Sequence, residues 1–265
     1  MALVTGASSG IGEATARRLA RSGWRVLAGV RKARDAPEGT EEIILDVTDA
    51  EQVAAAAARV EELHGLVNNA GIAIASPLEL IPLDELRRQL EVNVLGQVAV
   101  TQAFLPHLRR ARGRIVFVGS IAGRSALPFL GAYAASKHAL EAIADSLRLE
   151  LSPWSIQVAI VEPATIATPI WAKGAATADA IQARASSDPS PLYRERLDAF
   201  RRAAEAAGRR AEPAERVAAV VERALTSDRP RARYVVGRDA RIRATIERLP
   251  DRLRDRAYER LLLRS

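Results

Sequence analysis

From residue 2 to residue 236, short apolar runs alternate with longer stretches of helical periodicity. The apolar runs fall at residues 2–5, 24–30, 43–45, 66–67, 115–118, 156–161 and 234–236. Between them, the run from Gly12 to residue 22 and residues 49–62, 82–110, 133–151 and 213–226 carry apolar side chains at helical spacing. Parallel strands need a long crossover, and a helix usually supplies it. The alternation therefore predicts an α/β fold: a doubly wound, Rossmann-type parallel sheet of about seven strands with helices on both faces. The 265 residues fit a single domain. Residues 162–200, rich in Ala, Ser, Thr and Pro, read as an irregular covering loop with short helices, and residues 238–265 as a basic helical tail.

Ligands of such a sheet lie at the carboxyl ends of its strands. Gly6, Asn69, Ser120 and Pro163 each come just after a strand, so they are expected on one rim. Gly6-Ala7-Ser8-Ser9-Gly10-Ile11-Gly12 joins the first strand to the first helix. Glycines let backbone approach a pyrophosphate, and the helix start offers amide donors and a positive dipole end. After the second strand, where an acidic residue commonly holds the ribose hydroxyls of NAD, the chain reads Val30-Arg31-Lys32. Arg31 suits a 2′-phosphate and can stack on adenine.

Tyr133 and Lys137 stand four apart in a helical run, so they share a face. A phenol is a weak acid with a pKa of about 10. A neighbouring ammonium stabilises its phenolate, which makes the pair fit to exchange a proton with an alcohol or carbonyl oxygen. An isolated Tyr-x-x-x-Lys reads first as an ordinary partly exposed pair, Ser120 alone as a turn residue and Thr168 alone as a cap before Pro169; Asn93 is as readily a solvent-facing or core-satisfied side chain.

Composition narrows the chemistry. The chain has no cysteine, so disulfides and thiolate metal sites are excluded, and its three histidines (His64, His107, His138) lie at no metal-ligand spacing; no metal is expected. No signal peptide and no apolar run of membrane-spanning length are evident, which leads us to expect a cytoplasmic protein. The net charge is +7. No nucleic-acid motif accompanies it, so a solvated arginine-rich surface is favoured over nucleic-acid binding. In the tail, Leu249, Leu253, Tyr258, Leu261, Leu262 and Leu263 alternate with arginines. That pattern fits a helix docked on its own subunit or a neighbour, the favoured reading, or one resting on a membrane surface.

With these residues laid out, the chain resembles the short-chain dehydrogenase/reductase family from residue 2 to about residue 237. Thr5-Gly6-x-x-x-Gly10-Ile11-Gly12 matches its cofactor motif, Asp46 its adenine-contacting aspartate and Asn68-Asn69-Ala70-Gly71 its sheet-stabilising motif. Asn93, Ser120, Tyr133 and Lys137 match its catalytic tetrad in order and approximate spacing. The resemblance implies a secondary alcohol/ketone oxidoreductase. In it Tyr133 transfers the proton, Lys137 holds the nicotinamide ribose, Ser120 binds the substrate oxygen and Asn93 holds a water. It implies a cofactor site made by Gly6, Ser8, Ser9, Gly10, Ile11 and Gly12, by Arg31, Asp46 and Val47, by Asn69, Ala70 and Gly71, by Tyr133 and Lys137, and by Pro163, Thr165, Ile166 and Thr168. Arg31 and Lys32 favour NADP(H) over NAD(H), although Ser9 stands where many NADP-using relatives carry a second basic residue.

By the same analogy Leu127, Pro128, Phe129, Ile166, Ile170 and Trp171 border an apolar small-molecule substrate. The long helices 82–110 and 133–151 imply a homodimer or homotetramer. Where the family has Pro-Gly after the sixth strand, this chain has Pro163-Ala164, which is strained only if that position needs a left-handed backbone. The competing reading is a catalytically silent dinucleotide sensor or scaffold.

Overall fold

The first strand, β1 (Ala2–Thr5), serves two cores. Ala2 and Val4 enter one and Leu3 the other, the period-two consequence of strand geometry. The computed structural model describes residues 1–184 and 191–262. After β1 the chain runs through α1 (Gly10–Arg21), β2 (Val26–Val30), β3 (Glu41–Ile44), α2 (Ala50–Ala58) and β4 (Gly65–Asn68). Next come α3 (Leu83–Leu90), a π turn (Glu91–Leu95), α4 (Gly96–Ala111), β5 (Arg114–Val118), a 3₁₀ turn (Ile121–Gly123) and α5 (Gly131–Glu150). Last are β6 (Gln157–Pro163), α6 (Ile170–Arg184), α7 (Pro191–Gly208), α8 (Ala214–Thr226), β7 (Arg233–Val236), α9 (Arg238–Ile246) and α10 (Asp251–Leu262).

The seven strands form one sheet in the order β3-β2-β1-β4-β5-β6-β7, every pair parallel. On one face, Leu19 of α1 packs with Val217 and Val221 of α8. On the other, Val53 of α2, Phe104 of α4 and Leu140 of α5 close the second core. Strands covered on both faces read as continuous apolar runs, which is why β1, β2 and β4 are buried along their whole length. Chain order reverses between β1 and β4, and the crevice at that switch point positions the site.

The structure differs from the expectation in two places, and packs the tail as the favoured reading had it. The stretch 162–200 is not an irregular loop: α6 and α7 occupy most of it, while residues 185–190 lie outside the described residues. Six alanines from Ala172 to Ala183, the best helix formers, outweigh the serines and prolines that suggested a loop. The helix expected over 82–110 is interrupted by the π turn, which holds Asn93. The tail is two helices packed on the chain itself, with Tyr258 buried and Leu249 and Leu253 exposed; Leu263 lies outside the described residues. Among the described residues, no helix is long and apolar enough to cross a membrane.

Candidate active site

Thr5 ends β1 and ties the switch point together. Its Oγ1 accepts the N–H groups of Asn69 and Ala70, each at 3.0 Å. Asn69 Nδ2 returns hydrogen bonds to Thr5 O (2.9 Å) and Gly6 O (3.2 Å), so the glycine turn is fastened to the end of β4. Gly6 and Gly10 have φ of +65° and +61°, a backbone that side chains rarely adopt. A Cβ on Gly12 would sit 2.2 Å from Gly6 O, so the turn folds this tightly only over a glycine. Ser9 caps α1 without a side-chain hydrogen bond, which leaves the first-turn amides for an anion.

These groups open onto a cavity of about 680 Å³ that runs from the ends of β2 and β3 to the start of α5. Arg31, Asp46, Val47 and Thr48 line one end, and Ser120, Tyr133 and Lys137 the other. Tyr133 and Lys137 are 5% and 4% exposed, one turn apart on α5, with Lys137 Nζ 5.8 Å from the tyrosine ring centroid. Lys137 Nζ donates to Val118 O at 2.9 Å, which fixes the ammonium beneath the end of β5. Ser120, the next residue but one, starts the 3₁₀ turn by accepting the Ala122 N–H at 3.1 Å, and its hydroxyl meets that of Tyr133. Burial pushes the Tyr133 phenol up; the Ser120 hydrogen bond and the charge of Arg243 oppose it. Burial brings Lys137 down to about 8, against the pull of Glu141. Beside the expected influence of Lys137, desolvation is the largest influence on the Tyr133 phenol.

Most of the residues expected at the site line this cavity: Gly6, Ser8, Ser9, Gly10, Ile11, Arg31, Asp46, Val47, Asn69, Ala70, Gly71, Ser120, Tyr133, Lys137, Pro163, Ile166 and Thr168. Gly12, Asn93 and Thr165 do not. Gly12 lies beneath the turn, against Gly6 and Asn69. Thr165 gives its carbonyl to Glu212 N at 3.2 Å. Asn93 is fully buried: its Oδ1 accepts Ile72 N (2.8 Å), and its Nδ2 donates to Ile72 O (2.9 Å) and Ser136 Oγ (3.0 Å). Its side chain therefore joins the segment after Gly71 to the Tyr133 helix, where the resemblance implied a water-holding part. Of the expected substrate border, Ile166, Ile170 and Trp171 line the cavity, whereas Leu127, Pro128 and Phe129 do not. Phe129 instead packs edge-on to Phe200 of α7, with ring centroids 5.5 Å apart.

Ala164 takes no left-handed conformation, and its N–H bonds Val236 O at 3.0 Å. The strain that alanine would cause there is absent. The unusual backbone lies across from it at Gly237 (φ +104°), where a Cβ would come within 3.2 Å of Ala164 Cβ.

The sequence reading missed three groups. Gln89 and Gln97 hold the backbone of residues 70–74 from α3 and α4. Arg87, Arg88 and Lys173 bring positive charge to the cavity wall. Arg243 reaches the site from the tail. Only the helical spacing of Gln89, Asn93 and Gln97 was a usable signal, one polar face repeating every fourth residue.

A family model for short chain dehydrogenases matches residues 1–179, and the chain belongs to that family of oxidoreductases. It is 34% identical over 278 residues to an NADPH-dependent 3-dehydrocapnine reductase of Ornithobacterium rhinotracheale, covering 97% of this chain and 95% of that one. It is 38% identical over 257 residues to retinol dehydrogenase 16 of Homo sapiens, covering 90% and 81%. A short chain dehydrogenase from Burkholderia cenocepacia, solved in complex with NADP, superposes with a TM-score of 0.76 at 28% identity, covering 98% and 96%.

Proposed function

We propose that the protein interconverts a secondary alcohol and a ketone on an apolar substrate, using NADP(H) in preference to NAD(H), with Tyr133 as general acid and base. The observation that carries this reading is one cavity lined at one end by the phosphate-sized glycine turn and at the other by Ser120, Tyr133 and Lys137. The turn fits a dinucleotide: its glycines admit no side chain, and the amides at the start of α1 are uncapped. The NADPH-dependent relative and the NADP-bound neighbour support the choice of cofactor.

In this reading the first turn of α1 holds the diphosphate, Arg31 the 2′-phosphate, Asp46 and Val47 the adenine, and Lys137 the nicotinamide ribose. The bound nicotinamide supplies or accepts the hydride. In reduction, the Tyr133 hydroxyl gives its proton to the substrate oxygen; in oxidation, its phenolate takes that proton back. Ser120 Oγ donates to the same oxygen, where negative charge develops. Ile166, Ile170 and Trp171 exclude water and suit an apolar ligand, and Trp171 stacks edge-on to Tyr133 at 5.9 Å.

Oxidation of NADPH and NADH with the apolar ketones 2-decanone and acetophenone, on wild type and Tyr133→Phe, tests the proposal. The variant should bind cofactor as before and lose about a hundredfold or more in kcat, the contribution of a positioned proton donor. Turnover near the wild-type rate in Tyr133→Phe would remove the assignment.

A further inference from the structure

The tail reaches the catalytic end through one side chain. Arg243, on α9, donates from Nε to Ser125 Oγ at 2.9 Å and from Nη2 to Ser125 O at 3.2 Å, and Nη2 also meets the same Oγ. Ser125 is fully buried, and its own hydroxyl donates to Ile121 O at 3.2 Å. Ile121 opens the 3₁₀ turn that Ser120 caps. The guanidinium therefore grips the turn that holds Ser120 in place.

The same cation is largely removed from water, and burial lowers its own pKa. Tyr258, Glu247 and Tyr133 are the groups that face it. Tyr258 gives its hydroxyl to Glu247 Oε1 at 2.6 Å, so the tail's nearest carboxylate is engaged by the tail itself. Among the described residues, no carboxylate forms an ion pair with Arg243. Burial of a cation favours anionic groups around it: Glu247 is one, and a group that gains negative charge on losing its proton is another. Tyr133 is such a group. It is faced by Ser120 from the 3₁₀ turn, Lys137 from its own helix, the uncharged Trp171 from α6 and Arg243 from α9.

We propose that Arg243 is a positioning residue of the catalytic centre, gripping the Ser120 turn through Ser125 and keeping a cation turned towards Tyr133. Full activity then requires the tail to be docked. The inference rests on the reading of Tyr133 as the proton-transfer group.

The test reads the ionisation of Tyr133 directly. The tyrosinate absorbance of each protein is titrated against its Tyr133→Phe counterpart, which cancels the other three of the four tyrosines, Tyr258 included. Arg243→Gln should move the Tyr133 step to higher pH, because a cation that favours the phenolate is gone. Arg243→Lys, which keeps the charge, should hold the step near its wild-type place. Glu247→Gln should move it to lower pH by removing a counter-charge. This variant keeps the shape of the side chain that Tyr258 donates to, and it reports alone should Arg243→Gln fail to fold by circular dichroism.

A step that stays put in the folded variants, or that moves as far with lysine as with glutamine, overturns the proposal. The two readings fail differently. If Tyr133→Phe retains turnover, the catalytic assignment falls and takes this one with it. If Tyr133→Phe is inactive while the step ignores both Arg243→Gln and Glu247→Gln, only the role of Arg243 falls.

Discussion

Beneath Lys137, two carboxyl groups face each other: Glu141 one turn further along α5 and the fully buried Glu162 on β6. Arg233 reaches both, at 2.9 Å and 3.6 Å, and Arg124 holds Glu162 at 2.8 Å. Glu141 Oε1 and Glu162 Oε2 are buried and lack a partner, because two carboxylates can only accept; a proton on Glu141 would let it donate to Glu162. Burial first, and Glu162 second, push Glu141 up to about 8. A carboxyl raised in this way holds a proton in the native state that the unfolded chain releases. Its stabilisation is full below the ordinary value of 4.5 and is lost as pH rises through about 8. The melting temperature should fall across that window, and Glu141→Gln, which mimics the protonated acid, should flatten the fall; an unchanged slope would show that the pair holds no proton. Cofactor choice also belongs at this scale. A charged hydrogen bond contributes about 1.5–3 kcal/mol, so NADP(H) should be favoured roughly ten- to a hundredfold. Val30→Asp with Arg31→Ile should move kcat/KM towards NAD(H), and equal values in wild type would show that Arg31 does not serve the 2′-phosphate. The shared face of Tyr133 and Lys137 was legible from helical spacing, and Ser120 from its place just after a strand together with the family resemblance. Glu141–Glu162 and Arg243–Ser125 were not, because each joins segments that only the tertiary fold brings together.

At the scale of elements, local pattern gave the strands to within a few residues and failed where two patterns competed. The π turn is invisible to a periodicity argument, since 82–110 keeps its apolar spacing on either side of it. Such turns carry one extra residue per hydrogen-bonded ring and recur at functional sites. Here it sets Asn93 against Ile72 and Ser136. The helices α4 and α5 also bear on assembly. Leu95, just before α4, and Leu149, on α5, are 55% and 68% exposed. We expect these helices to pair with a second copy of the chain. Light scattering should give the mass of two or four chains, and Leu149→Glu should shift it towards one; a single-chain mass in wild type would count against pairing.

For the whole molecule, the alternation of strand and helix was enough to predict a parallel sheet with its site on the carboxyl rim. Which strand lies beside which was not legible: β1 sits between β2 and β4, and β7 beside β6, because of crossovers whose direction is fixed by twist rather than by composition. The docking of the tail was one of two readings left open by its amphipathic pattern, and Arg243 and Tyr258 show where it packs. The packing of α1 on α8 has a consequence for biosynthesis. Leu19 and Ala16 of the glycine-turn helix are covered by Val217 and Val221, and Arg18 meets Glu222 at 2.6 Å, some 200 residues later in the chain. A part that leaves the ribosome early is thus sealed by one that follows it 204 residues later. While those residues are being added, the nascent chain carries an apolar helix face with no partner, a stage at which holding by a chaperone would protect it from association with other chains.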